Sequence, residues 1–149
     1  MPDSIPPVYE TYLPRTPIQL MGGVGWKRLV AFRIDERGVT LGGAPLRYKA
    51  HTVFVPWADI TALALWQLHS AGTTLDHVGV QRRAGASPLP GPNDGRLTPE
   101  RAAKLAPHVD YEVMMASRAI TFWKLDPARL QAAVDAFAPN VPVVVYQAD

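Results

Sequence analysis

The sequence predicts a mainly β, α+β domain: an antiparallel barrel or orthogonal sandwich of about seven strands, capped by a C-terminal helix. Three observations predict it. From Leu29 to Gln67, short strand-forming runs follow one another, divided by turn residues. Val55-Pro56-Trp57-Ala58-Asp59-Ile60 marks a step from one strand into the next, because Pro56 cannot donate to a ladder. Asp126-Pro127 then opens an amphipathic helix that stops before Pro139.

Residues 1–17 form a proline-rich arm. Pro6, Pro7, Pro14 and Pro17 favour extended or polyproline backbone, while Val8, Tyr9, Tyr12 and Leu13 give the arm side chains to lay on the body. Gly22-Gly23-Val24-Gly25 is a loop. It leads through Trp26-Lys27-Arg28 into a strand, not a helix, so it lacks the setting of a phosphate cradle.

Strands are expected at Lys27–Asp35, Val39–Leu41, Tyr48–Val55, Ile60–Gln67 and Asp76–Arg83. Gly38 supplies the backbone freedom that the first reversal requires. Residues 84–97 are rich in Gly, Pro, Asn and Asp and read as a flexible loop. A short helix follows near 98–106, with Thr98 as cap and Pro99 at its first position. Glu112–Leu125 reads as one or two further strands.

In the helix Pro127–Phe137, Leu130, Val134 and Phe137 recur at helical spacing, while Arg129, Gln131 and Asp135 lie on the other side. Residues 140–149 are a closing strand or tail. Its run of valines near the chain end must be paired or covered to avoid aggregation, and Pro142 suits an edge.

A chain of 149 residues favours one domain with a substantial core. Hydrophobic residues at 48% and charged residues at 19% mark a globular chain, not a disordered one. Fifteen basic and 13 acidic residues leave a net charge of only +2, which argues against nucleic acid as a partner. No cysteine is present, which excludes disulfides, thiolate metal sites and a cysteine nucleophile. The N-terminal residues lack the basic and apolar regions of a signal peptide, and no apolar run is long enough to cross a bilayer. A cytoplasmic location is the expectation.

No catalytic constellation emerges. His51, His69, His77 and His108 have no partner at i+4, and no Gly-x-Ser-x-Gly occurs. The expectation is therefore a non-enzymatic protein with no cofactor and no metal. Trp26, Trp57, Trp66 and Trp123 read chiefly as core or rim packing. Arg47, Lys49 and Arg82 are the candidate ligand-binding residues, polar anchors for an acidic group at the open end of a barrel.

Ile34-Asp35-Glu36-Arg37-Gly38-Val39-Thr40-Leu41, the Val55–Ile60 step and the Pro127–Phe137 helix together resemble the bacterial pleckstrin-homology-like domains. The sequence Ala136-Phe137-Ala138-Pro139 before a valine-rich tail is similar to uncharacterised actinobacterial proteins of that kind. The resemblance spans roughly residues 26–139, with 84–107 as a departure. It implies two orthogonal antiparallel sheets closed by the helix. The basic pattern of inositide-binding members is not met around the first hairpin: Lys27, Arg28 and Arg33 lie near the strand, but Arg37 sits beside Asp35 and Glu36. The functional expectation is a binding module for a protein or peptide, at a sheet edge or in the groove beside the C-terminal helix. The alternative is a small molecule or lipid headgroup at the open end of the barrel. The protein is expected to be a monomer or homodimer, without nucleic acid; peripheral contact with a membrane has no support in the sequence.

Overall fold

The computed structural model describes residues 7–89 and 97–147. Among these residues strands dominate and lie in two four-stranded sheets. The first sheet holds β1 (Tyr9–Leu13), β2 (Leu29–Ile34), β3 (Gly38–Leu41) and β4 (Val53–Pro56), in that order and all antiparallel. The second holds β5 (Ile60–Ser70), β6 (Thr73–Arg82), β7 (Ser117–Ala119) and β8 (Val143–Tyr146), in the order β7-β6-β5-β8. A short 3-10 turn, Trp57–Asp59, carries the chain from one sheet to the other. The Trp57 indole anchors that corner by donating to the Asp35 carbonyl at 2.9 Å.

The two faces of the second sheet explain most of the packing. On β5, Leu63 and Leu65 face the first sheet, with Val80 and Val78 as their partners on β6. There they join Phe32, Ile34, Val39 and Leu41 of the first sheet, and Leu130, Ala133 and Val134 of α5 (Pro127–Phe137), in one core. The alternate residues Ala64 and Trp66 face the other way. They are covered by α3 (Pro99–Leu105) and α4 (Tyr111–Met115), through Ala102, Val113 and Met114. The second sheet is thus a middle layer with apolar contacts on both faces.

Asp126 caps α5, accepting from the main-chain nitrogens of Ala128 and Arg129. Leu130 and Val134 of the expected stripe are fully buried, and Phe137 is half-buried against the same core. The short helix at 99–105 forms as expected, with Thr98 accepting from the Arg101 nitrogen.

Several expectations are corrected. The sheets do not close into a barrel, because no ladder joins the first to the second among the described residues. The second sheet is not purely antiparallel either: β8 runs parallel to β5. The chain reaches it after α5, and a helical return is what a parallel neighbour requires. Residues 48–51 are not strand. Pro45–Arg47 forms a 3-10 turn and Tyr48–His51 a single helical turn, α2, whose Tyr48 hydroxyl donates to the Val30 carbonyl. Glu112 begins no strand: Tyr111–Met115 is helix because Val113 and Met114 are buried against Trp66 and Ala64, and only Ser117–Ala119 is extended.

In the arm, residues 9–13 form β1, paired to β2, so its backbone is ladder and not polyproline. A brief helix, α1 (Ile18–Met21), follows. Its Gln19 side chain is buried and donates to the carbonyls of Gly25 and Lys27, which fixes the glycine loop. Of the expected flexible loop, residues 90–96 lie outside the described residues, as do residues 1–6 of the arm. Leu89 and Leu97 pack against the two cores on either side of that segment. No helix among the described residues is long and apolar enough to cross a membrane.

Candidate functional site

Among the described residues β8 is an edge strand, and beside it lies a cavity of about 800 Å³. The cavity opens between the far halves of β5 and β6, the strap that leads into α5, and the end of β8. Leu65, Ile120, Trp123 and Leu125 give it an apolar floor. Gln67, His69, Asp76 and Lys124 bring polar groups to the same space. These residues converge because β5 and β6 extend past the core as a long hairpin, while the strap crosses over its face.

The polar groups are tied to one another. Gln67 donates to the Asp76 carboxylate at 2.7 Å across the hairpin. His69 Nδ1 lies 3.1 Å from the Thr74 hydroxyl. His77 stacks on Trp66 with ring centroids 4.0 Å apart, and its Nδ1 meets the Leu75 carbonyl at 3.1 Å. Burial pushes the His77 pKa below the ordinary imidazole value, outweighing the Leu75 carbonyl and the Asp76 charge. Burial thus favours the neutral ring, and the Leu75 carbonyl favours the tautomer that carries its proton on Nδ1. Ser117 is buried; it accepts from the Trp66 indole at 3.0 Å and donates to the Val113 carbonyl at 2.6 Å. It ties α4, β5 and β7 together. This arrangement suits recognition by apolar contact and hydrogen bonds. Among the described residues, no group of three His, Asp or Glu side chains could hold a metal.

The second cavity, about 560 Å³, lies at the other side of Trp123. Leu13–Ile18, Gly42–Pro45 and the strand β7 with the turn after it enclose it. Among the described residues that line it, Arg118 is the charged one. That side chain is buried, and it donates to the carbonyls of Gly42, Ser117 and His51 at 3.1, 3.0 and 2.6 Å. Burial pushes its pKa down to about 10.

Neither cavity is lined by the basic residues singled out in the sequence. Arg47 and Lys49 are exposed on the turn between β3 and β4. Arg82 sits at the end of β6, opposite Ile60, and donates to the Ser87 carbonyl at 2.6 Å. Arg82 and the Arg47–Lys49 pair therefore sit on different sheets or their connections. Arg118 was missed because its sequence neighbours, Ser117 and Ala119, carry no motif; only the approach of Gly42 and His51, 76 and 67 residues away, makes it a buried cation. Comparison of the chain with family models, with curated proteins and with solved structures finds no match.

Proposed function

We propose that the protein is a non-catalytic binding module that captures an extended peptide segment along β8, in the groove beside α5. The observation that carries this reading is the juxtaposition of an open strand edge with a mixed apolar and polar groove of about 800 Å³. Strand addition supplies affinity through main-chain hydrogen bonds, and side-chain pockets supply selectivity. The pleckstrin-homology-like reading belongs with this proposal. Its support is the strand order, four antiparallel strands followed by β5, β6 and β7, with a helix after them.

The ladder predicts which groups a peptide would meet. Leu63 N donates to the Pro142 carbonyl, so in a parallel pair Val144 also turns its main chain toward β5. Val143 and Val145 then present theirs to the open edge. Val145→Pro removes an outward donor while leaving the inner ladder intact. A displayed library of random peptides, selected on the intact protein, should yield ligands that shift the amide signals of Val143 and Val145 and the indole signal of Trp123. Val145→Pro should weaken those ligands about tenfold or more, the effect of losing a main-chain bond and its register. Selected peptides that bind Val145→Pro as tightly as the original protein would overturn the proposal.

A further inference from the structure

The 560 Å³ cavity next to Arg118 lies away from the β8 groove and asks for a different occupant. Its size falls within the range of small-molecule sites, about 300–1,000 Å³. Leu13, Ala31, Pro45 and Trp123 make its wall apolar, and Arg118 places a buried positive charge in it. Arg118 keeps its carbonyl bonds and acts on the cavity through its charge. Because the Arg118 side chain itself is buried, its charge is screened less than that of a surface arginine.

The surface around the mouth has the same two characters. Residues 13–31, 42–49 and 117–123, which line the cavity or adjoin its lining, contain Arg15, Lys27, Arg28, Arg47, Lys49 and Arg118, and no Asp or Glu. Glu10, Asp35 and Glu36 lie toward the other end of the first sheet, where Tyr9 pairs with Ile34, and Arg33 there pairs with both Glu10 and Asp35. The segments that line the cavity therefore bring basic residues to it and no acidic ones. Ile18, Met21, Leu46 and Phe122 are exposed on these same segments, and α1 packs against the turn that holds Leu46. Phe122 is 90% exposed with a left-handed φ of 62°. Backbone strain that holds an aromatic ring out in water gains the folded core nothing, and it marks a segment shaped for contact.

We propose that this cavity binds an amphipathic anion, a hydrocarbon chain ending in a carboxylate or phosphate, with the chain among the apolar walls and the charge facing Arg118. The inference goes beyond the peptide reading and does not need it. Such an anion can arrive free in solution or as a lipid of an anionic bilayer, and the exposed apolar residues at the mouth would serve either source.

Calorimetric titration of the intact protein with decanoate, below its micelle concentration, should show saturable binding. Decan-1-ol and decyltrimethylammonium should bind roughly tenfold or more weakly, since neither carries a negative charge for Arg118 to attract. Ala44→Trp, at an exposed position of the rim, should abolish decanoate binding with the thermal midpoint unchanged. Flotation with phosphatidylcholine vesicles, with and without phosphatidylglycerol, identifies the source. Protein that floats only with phosphatidylglycerol, and not as Ala44→Trp, takes its anion from the bilayer. Protein that retains decanoate through gel filtration and does not float takes it from solution. Equal affinity for the alcohol and the carboxylate would overturn the anion assignment. Equal affinity of Ala44→Trp for decanoate would overturn the site, and so would the absence of any saturable binding. Val145→Pro should leave decanoate binding unchanged, so failure of the peptide reading and failure of this one are separable.

Discussion

Trp66 on β5 and His77 on β6 sit directly opposite each other and stack, with ring planes 18° apart. The pair fastens the long hairpin under α4, since Trp66 also donates to Ser117, whose hydroxyl reaches the Val113 carbonyl of α4. Burial depresses the His77 pKa below 6.5 in the folded protein. As pH falls below 6.5, the unfolded chain takes up a proton that the folded ring resists. Stability is thus fully present above that pH and declines through the window beneath it. Urea midpoints at pH 7.5 and pH 5 should differ more for the original protein than for His77→Phe, which keeps the stack and cannot titrate. Equal differences would show that His77 does not couple folding to pH.

Leu130 carries more of the α5 contact than Phe137. It is fully buried in the main core, whereas Phe137 is half-buried at the end of the helix. Leu130→Ala should cost about 3 kcal/mol, within the range for a leucine deleted from a packed interior. Phe137→Ala should cost less than Leu130→Ala, because part of that ring already meets water. Denaturant unfolding of both variants checks the order, and a larger loss at Phe137 would reverse the packing described for α5.

Gly79 is the place where β7 meets β6. A Cβ built there runs into the Ser117 hydroxyl and the Ala116 carbonyl. Both belong to the chain that leaves α4 and pairs with β6. Gly79→Ala should destabilise the protein by about 1–3 kcal/mol, the usual effect of overpacking. Hydrogen exchange should quicken first at Gly79 and Ser117. Unchanged exchange would mean that β7 can move aside without cost.

Removal of residues 141–149 should lower stability and solubility together. β8 covers one edge of β5 along Leu63–Trp66, and its loss exposes that edge of a long apolar strand. Thermal unfolding and light scattering of the truncated protein check both effects. A truncated chain as stable and as soluble as the original would show that β8 is not part of the folded unit.

Much of the local structure was legible in the sequence. The cap Asp126 with Pro127, the turn at Asp35–Gly38 and the corner at Pro56–Trp57 each depend on neighbours a few residues apart. Such signals survive in one dimension. Residues 48–51 and 112–115 misled for the complementary reason. Their β-prone or ambiguous composition is overruled by what they pack on: Tyr48 reaches Val30, and Val113 and Met114 cover Trp66. The candidate site was illegible for a third reason. Arg47, Lys49 and Arg82 stand out in the sequence as charges near turns. The buried cation that lines a cavity is Arg118, which becomes special only when Gly42 and His51 fold onto it.

The sequence by itself determined a β-rich chain with a capped, amphipathic C-terminal helix and a valine-rich tail that had to be covered. Periodicity and capping are properties of contiguous residues, so they can be read without coordinates. Only the tertiary structure decided that no ladder joins the two sheets among the described residues, that the tail pairs parallel to β5, and that Trp123 lines a cavity on each side. Each of these depends on which distant segments share a face, and that is set by the fit of buried side chains rather than by any local pattern.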